Sequence, residues 1–148
     1  LGVTVVTQPH FIAERGDQYL RDVEAVDIPL LYRGAGFLRG GVALAAGSDA
    51  PYGSTDPWAA MRAAVGRRTR EGVQLNAGEC LQPAQAIALF AGDLHRPASG
   101  LRELAVGQPA DLCLLDVRWD DLCADLDSRH VDLTVCAGRI VYAAARHA

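Results

Sequence analysis

Residues 42–51 read Val-Ala-Leu-Ala-Ala-Gly-Ser-Asp-Ala-Pro. The five small apolar residues Val42 to Ala46 predict a fully buried strand, because a short continuous apolar run offers no face to water. Gly47 and Ser48 end the run, Asp49 stands at its carboxyl end, and Pro51 forbids a smooth continuation. A carboxylate at the carboxyl end of a buried parallel strand is where α/β barrels keep their chemistry. Gly-Ser-Asp is also ordinary turn composition, so the surrounding segments have to decide between the two.

Upstream, Val3 to Thr7 is β-branched throughout and predicts a buried strand that Pro9 ends. Phe11 to Val26 reads as partly helical, with Gly16 a weak point inside it. Pro29 to Arg39 carries Leu30, Leu31, Ala35 and Leu38 at helical spacing, and Gly40-Gly41 turns the chain into the strand at Val42. The order strand–helix–strand places two parallel strands side by side. Downstream, Asp56 can cap a helix whose first position suits Pro57. Trp58, Met61, Ala64 and Val65 form its apolar face, and Arg67, Arg68 and Arg70 read as its solvated end. Pro83 to Ala91 predicts a short helix closed by Gly92. After Gly100 the pattern becomes β. Leu112 to Val117 reads as a strand, and Val131 to Cys136 and Arg139 to Tyr142 flank a turn at Ala137-Gly138. The acidic stretch Trp119 to Arg129 is a short helix or a loop.

The chain has 148 residues, enough for one domain but short of the ~250 of a complete α/β barrel. At 50% hydrophobic and 22% charged it can bury a core and is not a disordered chain. Its net charge of −4 gives no broad basic surface for nucleic acid. No apolar run approaches the ~20 residues of a membrane span. The four cysteines, at 80, 113, 123 and 136, match no zinc or redox spacing. Cys113 and Cys136 fall inside apolar strands, so buried free thiols and a reducing, cytoplasmic setting are expected.

Several segments stand in fixed order around Gly47–Pro51: Gln8-Pro9 and Gly16-Asp17 before it, then Asp56-Pro57-Trp58, Gly107-Gln108-Pro109-Ala110-Asp111-Leu112, and Gly138-Arg139-Ile140-Val141-Tyr142. This series resembles the C-terminal part of metal-dependent amidohydrolases, nearest to the family 3 branch of N-substituted formamide deformylase and YtcJ-like proteins. The resemblance implies a fragment of an α/β protein: the last two strand–helix units of a TIM barrel over 1–100, and part of an accessory β-sandwich over 101–148. It implies a hydrolase of carbon–nitrogen bonds other than peptide bonds, acting on a small amide-type substrate with one or two divalent metals, zinc above all, in the intact parent. The family's His-x-His pair, its middle-strand carboxylate or modified Lys, and its further His ligands have no match here, and the chain contains no Lys. The isolated chain is therefore expected to be inactive and to hold no metal.

By the resemblance, Asp49 is the catalytic carboxylate: a metal contact and general base, later general acid. Its plain structural alternative is a turn- or helix-capping Asp. His10, at the mouth of the first strand, is read as substrate-facing or solvent-facing rather than a ligand. Ser48 and Tyr52 flank Asp49 and are candidates to line a pocket, with turn or packing roles equally open. His95, His130 and His147 are isolated and default to the surface, and Asp111 reads as a structural turn residue. Open strand edges predict self-association. The rival reading is a non-catalytic assembly or binding module that pairs with a separate N-terminal chain.

Overall fold

The computed structural model describes residues 2–93 and 95–145; His147 lies outside them. The chain forms two compact units, residues 1–102 and 103–148, each with its own sheet.

In the first unit, β1 (Thr4–Thr7) and β2 (Ala43–Ala46) pair in parallel, Thr4 opposite Ala43 through Thr7 opposite Ala46. Between them run α1 (His10–Asp22), a 3-10 turn at Ile28–Leu30 and α2 (Gly34–Arg39). The expected strand–helix–strand unit is therefore present. The full burial expected of its strands is not. Leu44 and Ala45 are buried, but Val3 and Val6 are more than half exposed, because two strands have too few neighbours to cover both faces. Then come α3 (Pro57–Gly66) and α4 (Pro83–Ala88). Asp56 caps α3, its Oδ1 accepting the Trp58 N–H at 2.9 Å, and Pro57 holds the first turn. Gln82 and Gln85 form a reciprocal capping box on α4. The core gathers Phe11 and Ile12 of α1, Leu44 and Ala45 of β2, Ala60, Met61 and Ala64 of α3, and Leu75, Leu81 and Leu89.

Two expectations fail here for one reason, close packing across the chain. Gly16 is not a weak point of α1 but a contact: a Cβ there would lie 2.5 Å from Thr69 Cγ2. Arg67 is not solvated. It is 1% exposed and donates to the carbonyls of Leu75 (2.7 Å), Tyr32 (2.7 Å) and Leu31 (2.9 Å).

In the second unit, β3 (Leu112–Leu115), β4 (Val131–Cys136) and β5 (Arg139–Ala143) make an antiparallel sheet in sequence order. Ala137 and Gly138 both have positive φ, 48° and 76°, as a two-residue hairpin turn requires. Asp111 Oδ1 accepts the Ala137 N–H at 2.7 Å and anchors that turn. The acidic stretch is helical over α5 (Trp119–Ala124), which buries Leu122. One short helix covers little of a sheet, so Cys113 and Cys136 are exposed rather than buried, although both are free thiols. His130 is not a free surface histidine: its Nδ1 faces Asp116 and its Nε2 faces Asp125, each at 3.2 Å.

Candidate active site

β2 ends at Ala46, where the chain is held on both sides. Ala46 N–H donates to the Leu89 carbonyl and Gly47 N–H to the Thr7 carbonyl, both at 3.0 Å. The turn that follows is closed by Asp49, through its backbone. The Asp49 carbonyl accepts from Tyr52 N–H at 2.9 Å and Gly53 N–H at 3.1 Å. Asp49 has φ of 51°, a left-handed conformation that Asp tolerates better than most side chains. Its carboxylate is exposed and meets no hydrogen-bond donor among the described residues. The carbonyl thus shapes this turn, while the carboxylate has no hydrogen-bond partner among the described residues, just beyond the carboxyl end of a parallel strand.

His10 opens α1 directly after β1 and lies against this turn. It is 1% exposed, its ring centroid is 4.4 Å from that of Phe11, and neither ring nitrogen has a hydrogen-bond partner. Burial lowers its pKa, opposed by the nearby Glu14 and Asp49 carboxylates. Gly53 makes the fit possible, since a Cβ there would overlap His10 Nε2 and come 2.5 Å from the Ser48 carbonyl oxygen. His10 is therefore not solvent-facing; its ring lies buried against the turn. Ser48 is half-buried, its Oγ accepting from Ala50 N–H at 3.4 Å on the surface of the turn. Tyr52 is 64% exposed and is the one sequence candidate besides Asp49 that faces outward.

Two neighbours escaped the sequence reading. Glu14 Oε1 accepts the Ser54 N–H at 3.2 Å, tying α1 to the loop before α3. The Arg15 guanidinium lies 4.8 Å from the Phe11 ring centroid and 4.0 Å from that of Tyr52, and also donates to the Tyr52 hydroxyl. The signal available was spacing: Phe11, Glu14 and Arg15 share one face of a helix that begins at a strand's carboxyl end.

Among the described residues, no three His, Cys, Asp or Glu side chains converge where a metal could sit. Asp49 is one donor, and a zinc site takes about three or four protein ligands. The described residues do not make up a complete metal site.

The model of the Amidohydrolase family matches residues 1–142. A Bacillus subtilis (strain 168) protein named as an amidohydrolase, YtcJ, is 29% identical over 145 residues, covering 91% of this chain and 27% of that protein. The chain thus spans about a quarter of the length of the curated relative it matches. No solved structure matches it.

Proposed function

The chain belongs to the amidohydrolase family, and from that premise we propose that it is the C-terminal part of a metal-dependent hydrolase of carbon–nitrogen bonds other than peptide bonds. The observation that carries this reading is the free Asp49 carboxylate on a turn built by its own backbone. In the proposed reaction Asp49 takes a proton from water as the water oxygen bonds to the substrate's carbonyl carbon. It returns that proton to the nitrogen as the carbon–nitrogen bond breaks, which is the work of a general base that becomes a general acid. The proposal keeps one or two divalent metals, zinc foremost, for the intact parent, with Asp49 among the ligands. The described residues supply one ligand of such a site, and the metal would polarise the substrate carbonyl and acidify the attacking water. Tyr52 borders the space above Asp49, whereas His10 and Ser48 act by shaping the turn. The strands would belong to a TIM barrel and the second unit to an accessory β-sandwich.

The test is Asp49→Asn in a polypeptide that joins this chain to its encoded upstream segment. Asn keeps size and hydrogen bonding but cannot take a proton. Turnover falls about 10²–10⁴-fold, the usual worth of general acid–base catalysis. Wild-type kcat in a correctly folded variant removes Asp49 from the mechanism. A start codon adjacent to Leu1, with no His-x-His segment upstream in frame, favours the binding-module reading instead.

A further inference from the structure

We propose that Arg15 and Tyr52 form a carboxylate-binding pair beside Asp49, so that the ligand of this site carries a carboxylate. The inference rests on the reading of the Asp49 turn as a small-molecule site, and adds the chemistry of what enters it.

The pair is assembled from two elements. Arg15 is the sixth residue of α1, which follows β1, and Tyr52 comes from the turn after β2. The guanidinium sits in the corner between two edge-to-face rings, 4.8 Å from the Phe11 centroid and 4.0 Å from that of Tyr52. These ring contacts hold the side chain in place, so a ligand would not have to order a free arginine. Arg15 also donates to the Tyr52 hydroxyl. A hydroxyl that accepts there keeps its own hydrogen to donate. The pair therefore presents the remaining guanidinium N–H groups and one O–H, all donors, which is the complement of a planar carboxylate.

Other arginines show what Arg15 lacks. Arg33, Arg39, Arg62 and Arg129 each meet a carboxylate, and Arg67 is used up by three carbonyls. Arg15 makes no ion pair among the described residues. The carboxylate next to it in sequence, Glu14, is turned to the Ser54 N–H instead. Coupling to the candidate site is direct: Tyr52 N–H donates to the Asp49 carbonyl at 2.9 Å.

The experiment follows the Arg15 Nε–H and Tyr52 backbone N–H resonances of the isotopically labelled 148-residue chain. Sodium acetate is titrated at constant ionic strength against sodium chloride, with acetamide as the neutral control. Saturable shifts at both resonances with acetate and none with acetamide are expected. Tyr52→Phe keeps the stacking ring, removes one donor and weakens acetate about threefold to tenfold. Arg15→Gln abolishes saturation at Tyr52. If Arg15→Gln fails to fold, Arg15→Lys serves, keeping the charge but not the fork, with at least a several-fold loss. No saturable acetate response, or an unchanged response at Tyr52 in the folded Arg15 variant, overturns the pair. Because no turnover is measured, its failure is separable from loss of the hydrolase reading, which rests on Asp49→Asn.

Discussion

The turn after β2 and the end of α3 put charged residues into the same backbone geometry. Asp49 has φ of 51° and Arg67 φ of 47°, both left-handed. Each closes its element through the main chain: the Asp49 carbonyl takes two N–H groups, and the Arg67 N–H donates to Ala63 at 2.9 Å. There the likeness ends. Every side of the Arg67 guanidinium is bonded to a carbonyl inside the fold, and burial pushes its pKa below the ordinary value. The Asp49 carboxylate is bonded to nothing described. A charge at a conspicuous backbone position is thus no guide to function by itself. What separates a structural charge from a chemical one is whether its donors and acceptors are already taken.

Replacement sharpens the contrast. Arg67→Met removes one side chain and leaves the carbonyls of Leu31 and Leu75 without a donor, while that of Tyr32 keeps only the Gly34 N–H at 2.8 Å. Leaving buried groups unsatisfied costs about 1–3 kcal/mol each before relaxation, so a loss of about 3–4 kcal/mol is expected for the first unit. For a unit of this size that is a Tm drop on the order of 15 °C. Asp49→Asn should change the unfolding free energy, measured by urea titration, by less than about 0.5 kcal/mol, as surface substitutions do. Equal losses would mean that the Asp49 carboxylate is structural after all, and the comparison would collapse.

The region beneath Asp49 gives two smaller effects. Gly53→Ala drives a methyl group into His10 and the Ser48 carbonyl. Overpacking of this kind costs about 1–3 kcal/mol, and here it must also shift the turn that carries Asp49. A variant as stable as the parent chain would show that the turn is loose and that His10 does not support it. His10 itself predicts a pH effect. Burial holds its pKa below the ordinary 6.5 in the folded chain, so the unfolded chain takes up the proton first. Stability from this residue is complete above the unfolded value and falls as pH drops below about 6.5 towards the folded value. Chemical denaturation at pH 7.5 and pH 5 should show the loss, and His10→Phe should flatten it. A slope unchanged in His10→Phe assigns the effect to other groups.

What the sequence revealed follows the range of the interactions. The Asp56-Pro57 helix start, the Ala137-Gly138 turn and the pairing of β1 with β2 are set by residues adjacent in the chain or by one apolar run. They could be read directly. Arg67 could not, because its partners Leu31 and Tyr32 stand 36 and 35 positions away, and nothing local distinguishes it from the solvated Arg68. His130 escaped for the same reason, its two carboxylates coming from the ends of β3 and α5. The exposure of Cys113, Cys136, Val3 and Val6 was missed differently. Apolar composition predicts what a strand would bury if enough structure lay over it, and neither sheet has enough. At the candidate site, Asp49 stands out in the sequence through its place at a strand end. Arg15 was missed because a stacked arginine becomes visible only when Tyr52 folds back over it.

The smallest effect concerns the link between the Asp49 turn and α3. Ser54 Oγ accepts the Asp56 N–H at 3.1 Å, and Asp56 Oδ1 caps the helix at Trp58. Asp56 also lies 3.8 Å from Arg62, a partly exposed ion pair that contributes little. Asp56→Ala removes cap and charge together and is expected to cost about 1 kcal/mol, the usual worth of an N-cap. Asp56→Asn keeps the capping oxygen and loses only the charge, so it should lie within about 0.3 kcal/mol of the parent in the same urea titration. If Asn costs as much as Ala, the negative charge and not the hydrogen bond stabilises the helix start. Asp56 would then stand with the charges whose electrostatics matter, and the division drawn between Arg67 and Asp49 by hydrogen-bond partners alone would need a second criterion.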